Sequence, residues 1–160
     1  MTTVYDGEVV GIWVAPSEGA PMEPRDQVRV LAGKGLEGDR YAVAAGKYSG
    51  KRLEDAQRAV TFIEREAIEG ARREYGVELG EHETRRNVVT VGVPLNHLVD
   101  REFSVGEVRL RGVDLSEPCT YLEGLLDRDG VRTAMVHRGG LRAEVLTDGP
   151  IHVGDRLRSI

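Results

Sequence analysis

An antiparallel β-barrel edged by a few helices is what the residue pattern of this chain predicts, and three observations carry it. Short apolar runs of strand character recur, glycine and proline turns separate them, and only one segment has a long helical stripe. No internal repeat, heptad pattern or low-complexity tract interrupts that reading. With 160 residues, 40% of them hydrophobic, the chain can bury one good core, and a single domain over residues 1–160 is expected.

The elements follow in order. Thr3 to Ala15 reads as a strand, its apolar run being Val9, Val10, Ile12, Trp13 and Val14. Pro16 to Pro24 is a loop, and Val28, Val30 and Leu31 make a short alternating strand. Val60 to Ile63 is a strand leading into a helix from Glu64 to Tyr75, whose stripe of Ile63, Ala67, Ile68, Ala71 and Tyr75 belongs to the core. Val88 to Val91 is a strand, and Pro94 to Leu98 a helical turn. Phe103 to Leu115 forms a hairpin turning near Gly106. Tyr121 to Leu126 and Val131 to Val136 read as short helices divided by Asp127-Arg128-Asp129-Gly130. A closing hairpin pairs Ala143–Leu146 with Ile151–Leu157 through Thr147-Asp148-Gly149-Pro150, and Gly154-Asp155 is a turn. Residues 44 to 58, with their glycines and charges, form the excursion expected to be most mobile.

Composition excludes several classes of function. No apolar run has the length of a membrane span, and Met1 to Gly11 carries Asp6 and Glu8 without a basic-then-apolar leader pattern; a cytoplasmic protein away from membranes is expected. One cysteine allows neither an internal disulfide nor a cluster held by four cysteines of this chain. A net charge of −5 argues against nucleic acid as a partner. Nineteen of the twenty-two cations are arginine, which coding bias can explain; their placement carries the information, because guanidinium suits two-pronged anion contacts.

The chemistry gathers at Ser116-Glu117-Pro118-Cys119-Thr120-Tyr121. Cys119 follows a proline that shapes its loop and precedes a helix-compatible segment, which favours a thiolate. Such a thiol can be a nucleophile, a sulfur carrier, a soft metal ligand or a packed hydrophobe. Gly33-Lys34-Gly35-Leu36-Glu37-Gly38-Asp39-Arg40 contains a formal Gly-x-Gly-x-x-Gly, but no helix opens inside it and no βαβ unit surrounds it. A loop that brings backbone amides and Arg40 toward an anion fits better than a dinucleotide site, and an ordinary glycine turn is the alternative. Arg85-Arg86-Asn87 stands before a strand, where it can clamp a phosphate or carboxylate or simply face water. His137-Arg138-Gly139-Gly140-Leu141-Arg142 opens the last β segment. His82, His97 and His152 have no metal-ligand spacing with one another.

Taken in order, Gly35-Leu36-Glu37-Gly38-Asp39-Arg40, Arg85-Arg86-Asn87, Glu117-Pro118-Cys119, Arg138-Gly139-Gly140-Leu141-Arg142-Ala143 and Val153-Gly154-Asp155 resemble the motifs of the MOSC domain, the C-terminal domain type of molybdenum cofactor sulfurase. The resemblance runs from Arg29 to Leu157 and is to the short stand-alone bacterial members. It implies a mainly β barrel binding the molybdenum cofactor (Mo-molybdopterin), a pterin with a dithiolene and a phosphate. Cys119 would ligate molybdenum or carry sulfur, while Gly38, Asp39, Arg40, Arg85, Arg86, Asn87, His137, Arg138, Gly139 and Arg142 would hold the cofactor.

The resemblance implies a reductase of N-hydroxylated or N-oxygenated small molecules, supplied by an external electron-transfer protein. Two other functions stand beside it: a sulfur carrier loaded by a cysteine desulfurase, and a cofactor-binding module without turnover. Pyridoxal phosphate is a family-level association only, for the sequence has no fused pyridoxal-phosphate domain.

Overall fold

The computed structural model describes residues 5–51, 54–118 and 120–160. Its strands are β1 (Asp6–Val14), β2 (Glu23–Pro24), β3 (Gln27–Leu31), β4 (Gly35–Leu36), β5 (Val60–Glu64), β6 (Val88–Val91), β7 (Glu102–Val105), β8 (Val108–Leu115), β9 (Leu141–Val145), β10 (Gly149–His152) and β11 (Arg156–Ser159). The α-helices are α1 (Arg65–Tyr75), α2 (Thr120–Leu126) and α3 (Val131–Ala134). Strands β11, β7, β8, β9, β5, β6 and β1 neighbour one another in that order, and pairing of β1 with β11 closes them into a seven-stranded barrel. Closure removes the exposed edges that an open sheet would leave. A separate three-stranded sheet, β10-β3-β4, lies outside that ring of pairings.

The barrel is filled by fully buried side chains such as Phe62, Phe103, Ile12, Leu110, Leu141 and Leu157, with Phe62 and Phe103 meeting edge to face. A second cluster joins Ile68 and Ala71 of α1, Leu122 of α2, and Val131 and Ala134 of α3 to Ile63 and Val89 on the barrel. The apolar run of β1 serves both clusters. A register shift between Val9 and Gly11 turns Val9, Ile12 and Val14 toward the barrel interior and leaves Val10 and Trp13 to pack on the helical side.

Three sequence expectations are corrected. The barrel is antiparallel except between β5 and β6, which run parallel because α1 is the crossover joining them. The closing hairpin does not form: β9 pairs with β8 and β5, β10 pairs with β3, and β11 pairs with β7 and β1. The run from Ile151 to Leu157 is divided by a turn at Val153-Gly154-Asp155, where the Asp155 carboxylate accepts from the His152 amide at 2.8 Å. Tyr75, assigned to the core by its spacing, is 54% exposed, because the last turn of α1 runs past the packed face and its ring instead lies under the Arg138 guanidinium. That helix ends at Gly76 in the left-handed conformation, whose amide caps the Arg72 carbonyl. No helix among the described residues is long and apolar enough to cross a membrane.

Candidate anion-binding site

A cavity of about 400 Å³ opens where the 40–51 segment, the end of the 81–86 turn, the residues after β8, and α2 converge on the β5–β9 side of the barrel. Among the described residues its wall holds Arg40, Lys47, Lys51, Arg58, Arg85, Arg86 and Arg142, and a single carboxylate, Glu117. Seven described cations therefore face one described acid in a chain whose net charge is −5. Tyr41, Tyr48 and Tyr121 supply aromatic walls, with Lys47 over the Tyr121 ring and Arg40 over the Tyr41 ring.

Local structure fixes four of these cations, Arg40, Arg85, Arg142 and Arg58. Asp39, only 1% exposed, caps the 3-10 turn Arg40–Val43 through the Tyr41 amide. It also accepts from the Ala15 amide at 3.0 Å and from Arg40 Nη1 at 3.0 Å, tying the loop to the end of β1. Arg40 Nη2 donates to the Arg85 carbonyl. Arg85 closes the 3-10 turn Glu81–Thr84 with a left-handed backbone, φ 61°, and its Nη1 donates to the Ala20 carbonyl at 2.7 Å. Arg142, opposite Thr61 across the β5–β9 pairing, is held in a two-pronged bond by Asp114 at 2.6 and 3.1 Å. Arg58 donates to the Lys51 carbonyl.

The electrostatics are those of a cation cage. Burial, and then the neighbouring Arg40, push the Arg85 guanidinium below its ordinary pKa; burial and then Arg142 do the same to Arg58. Arg85 is 8% exposed, and its Nη2 is buried without a hydrogen-bond partner among the described residues. A guanidinium N–H left unpaired in a crowd of like charges is costly, and an oxyanion relieves both penalties together.

Of the predicted site residues, Arg40, Arg85, Arg86 and Arg142 line this cavity; Gly38, Asp39, Asn87, His137, Arg138 and Gly139 do not. Asn87 is a buried splice, accepting from the Thr61 amide at 3.1 Å and donating to the Trp13 carbonyl at 3.0 Å. Gly38 sits in the turn before Asp39 with φ 89°. Arg138 turns away to α1, where it pairs with Glu74 and crowds Gly70. His137 donates its amide to Glu117 at 2.8 Å. Cys119 lies outside the described residues, but both of its chain flanks reach the cavity: Pro118 lines it, and so do Tyr121 and Leu122 at the start of α2. Sequence reasoning missed Lys47, Lys51, Arg58 and the three tyrosines. One signal was available: two of only three lysines in an arginine-dominated chain, Lys47 and Lys51, stand four residues apart.

Comparison with known proteins gives the architecture a lineage. The structure is similar to the YuaD protein from Bacillus subtilis, with a TM-score of 0.81 and 18% identity over 100% of both chains. It is also similar to YiiM from Geobacillus stearothermophilus, TM-score 0.71 and 15% identity over 96% of this chain and 75% of that one. YiiM from Escherichia coli matches with TM-score 0.67 and 19% identity, over 99% and 70%. At such identities these likenesses establish the fold. No curated protein matches the sequence. The model of the MOSC domain matches residues 36–158, a span running from the Asp39–Arg40 loop through the Arg85–Arg86 turn to β11, and the chain belongs to the MOSC domain family, which is associated with molybdenum cofactor binding.

Proposed function

We propose that this protein binds the molybdenum cofactor in the arginine-lined cavity and reduces N-hydroxylated or N-oxygenated compounds with electrons from a separate protein. The observation that carries the binding is the excess of cations on the cavity wall, three of them the buried Arg40, Arg58 and Arg85, around an Arg85 Nη2 that has no hydrogen-bond partner among the described residues. A phosphate-bearing pterin fits that chemistry, and a cavity of about 400 Å³ falls in the range that small cofactors occupy. Arg85 and Arg40 would take the phosphate, whose oxygens accept two-pronged guanidinium bonds; Arg142, already braced by Asp114, and Arg58 would add charge at the other wall. The tyrosines at the rim would flank the flat ring system and exclude water from it.

When bound, the cofactor would supply a soft metal centre able to pass electrons in pairs, for which the Cys119 thiolate is a suitable ligand. The chain's own part is to hold the anionic arm, shape the loop ahead of Cys119 and admit a small substrate. The test is molybdenum analysis and pterin fluorescence on protein gently purified from a host that makes the cofactor. Wild type should retain molybdenum, Arg85→Ala should retain about tenfold less, and Cys119→Ser should keep the pterin while losing reduction of a hydroxylamine substrate. Wild-type protein that carries cyanide-labile sulfur and no molybdenum would overturn the reading in favour of a sulfur carrier.

A further inference from the structure

Arg40, Arg85 and Arg142 are held in the cavity wall by oxygens of the fold, whereas Lys47 is held by a ring. Its Nζ lies over Tyr121, 5.2 Å from the ring centroid, and that contact joins the 44–51 segment to α2, both of which line the cavity. The two partners are not equally fixed. Tyr121 stands on a helix anchored by the buried Leu122, and its hydroxyl backs onto the 15–24 loop, where a Cβ on Gly19 would stand 4.0 Å from it. Lys47 stands on a strap bracketed by two left-handed residues, Ala44 with φ 55° and Gly50 with φ 72°. Hydrogen bonds along the strap are local. The Ala45 amide donates to the Arg40 carbonyl, the Gly46 amide to Ser49 Oγ, the Gly50 amide to the Asp55 carboxylate and the Lys51 amide to the Tyr48 carbonyl. None of these bonds reaches α2 or a barrel strand.

A cation over an aromatic face near solvent is a weak tie, while a charge-assisted bond to an oxyanion is roughly twice as strong as a neutral hydrogen bond. The six other described cations of the wall repel the Lys47 ammonium, and an oxyanion among them turns that repulsion into attraction. Lysine, a point charge on a flexible stem, can change partners where a braced guanidinium cannot. From this inequality we infer that Lys47 is an anion-operated latch: it ties the 44–51 strap to α2 through the Tyr121 ring, and an oxyanion entering the cavity takes the ammonium from the ring and draws the strap over itself. The inference rests on the reading of the cavity as an anion site and adds a moving part to it. Closure of this kind needs residues that absorb a change of backbone angle at the ends of the strap, the places held by Ala44 and Gly50.

The experiment titrates inorganic phosphate into the whole chain at constant ionic strength, with calorimetry for affinity and hydrogen-exchange mass spectrometry for the amides of residues 44–51. Phosphate should slow exchange of those amides in wild type by about threefold or more. Tyr121→Leu releases the ammonium from its competing partner, so phosphate affinity should rise about two- to fivefold, the worth of an exposed cation–π contact. Tyr121→Phe keeps the ring face and should match wild type. Lys47→Gln should weaken phosphate binding about threefold, the loss of one screened cation, and should abolish the effect of phosphate on exchange in the strap. With Lys47→Gln in place, adding Tyr121→Leu should change the affinity no further, because the two residues act as one contact. Unchanged or weaker phosphate binding in Tyr121→Leu would overturn the latch. Should that variant not fold, the strap exchange of Lys47→Gln decides alone, and undiminished protection by phosphate there would overturn it. Phosphate that fails to bind wild type, or binds Arg85→Ala as well as wild type, would instead sink the reading of the cavity, and the latch with it.

Discussion

The Gly38–Arg40 loop and the His137–Arg142 turn look alike in sequence, each setting glycine beside arginine at the edge of a strand. In the folded chain they do opposite things with their cations. The first buries a carboxylate, Asp39, and uses it to aim Arg40 into the cavity. The second sends its first arginine, Arg138, out to Glu74 and Tyr75 on α1, and delivers only Arg142, which needs its own brace from Asp114. Its glycines serve backbone packing: a Cβ on Gly140 would lie 1.9 Å from the Phe62 carbonyl oxygen, with φ at 103°. The contrast teaches that an arginine beside a glycine can be a ligand donor or a strut. What separates the two is whether a buried carboxylate turns the guanidinium inward.

Substitutions can break that contrast, beginning with the largest effect. Gly140→Ala combines a backbone region closed to alanine with a collision against barrel backbone, and should lose about 4 kcal/mol or fail to fold; urea unfolding measures it. Wild-type stability in that variant would mean the turn is not a packing device. Asp39→Ala strips the buried Arg40 of its counter-charge and the Ala15 amide of its acceptor. It should cost about 3 kcal/mol and weaken phosphate binding with it, as read by thermal unfolding and calorimetric titration. Retained phosphate affinity would show that Arg40 needs no brace. Arg138→Ala loses a partly exposed pair with Glu74, worth about 1 kcal/mol or less, and should leave phosphate affinity unchanged. A weaker phosphate complex there would return Arg138 to the binding site.

Much of the architecture was legible beforehand because its signals are local. The strand of Val88–Val91, the hairpin through Gly106 and the helix ended by Gly76 each follow from alternation, period or turn residues within a few positions. The pairing of β9, β10 and β11 was not legible, since a strand's partner depends on barrel closure and not on its nearest turn. The site divides the same way. Arginines at motif positions could be named, but which of them enters the cavity depends on distant residues such as Asp39, Asp114 and Glu74. Lys47, Lys51 and Arg58 were hidden because the segment that carries them has no periodic pattern to fix its placement.

The most direct measurement is the position of tungstate, a tetrahedral oxyanion, soaked into crystals of the whole chain and located by tungsten's anomalous scattering. A cavity built to hold a phosphate arm should take it with one oxygen about 2.8 Å from Arg85 Nη2, on the side shared with Arg40. Tungstate bound instead beside Arg138 on α1, with none in the cavity, would contradict that account.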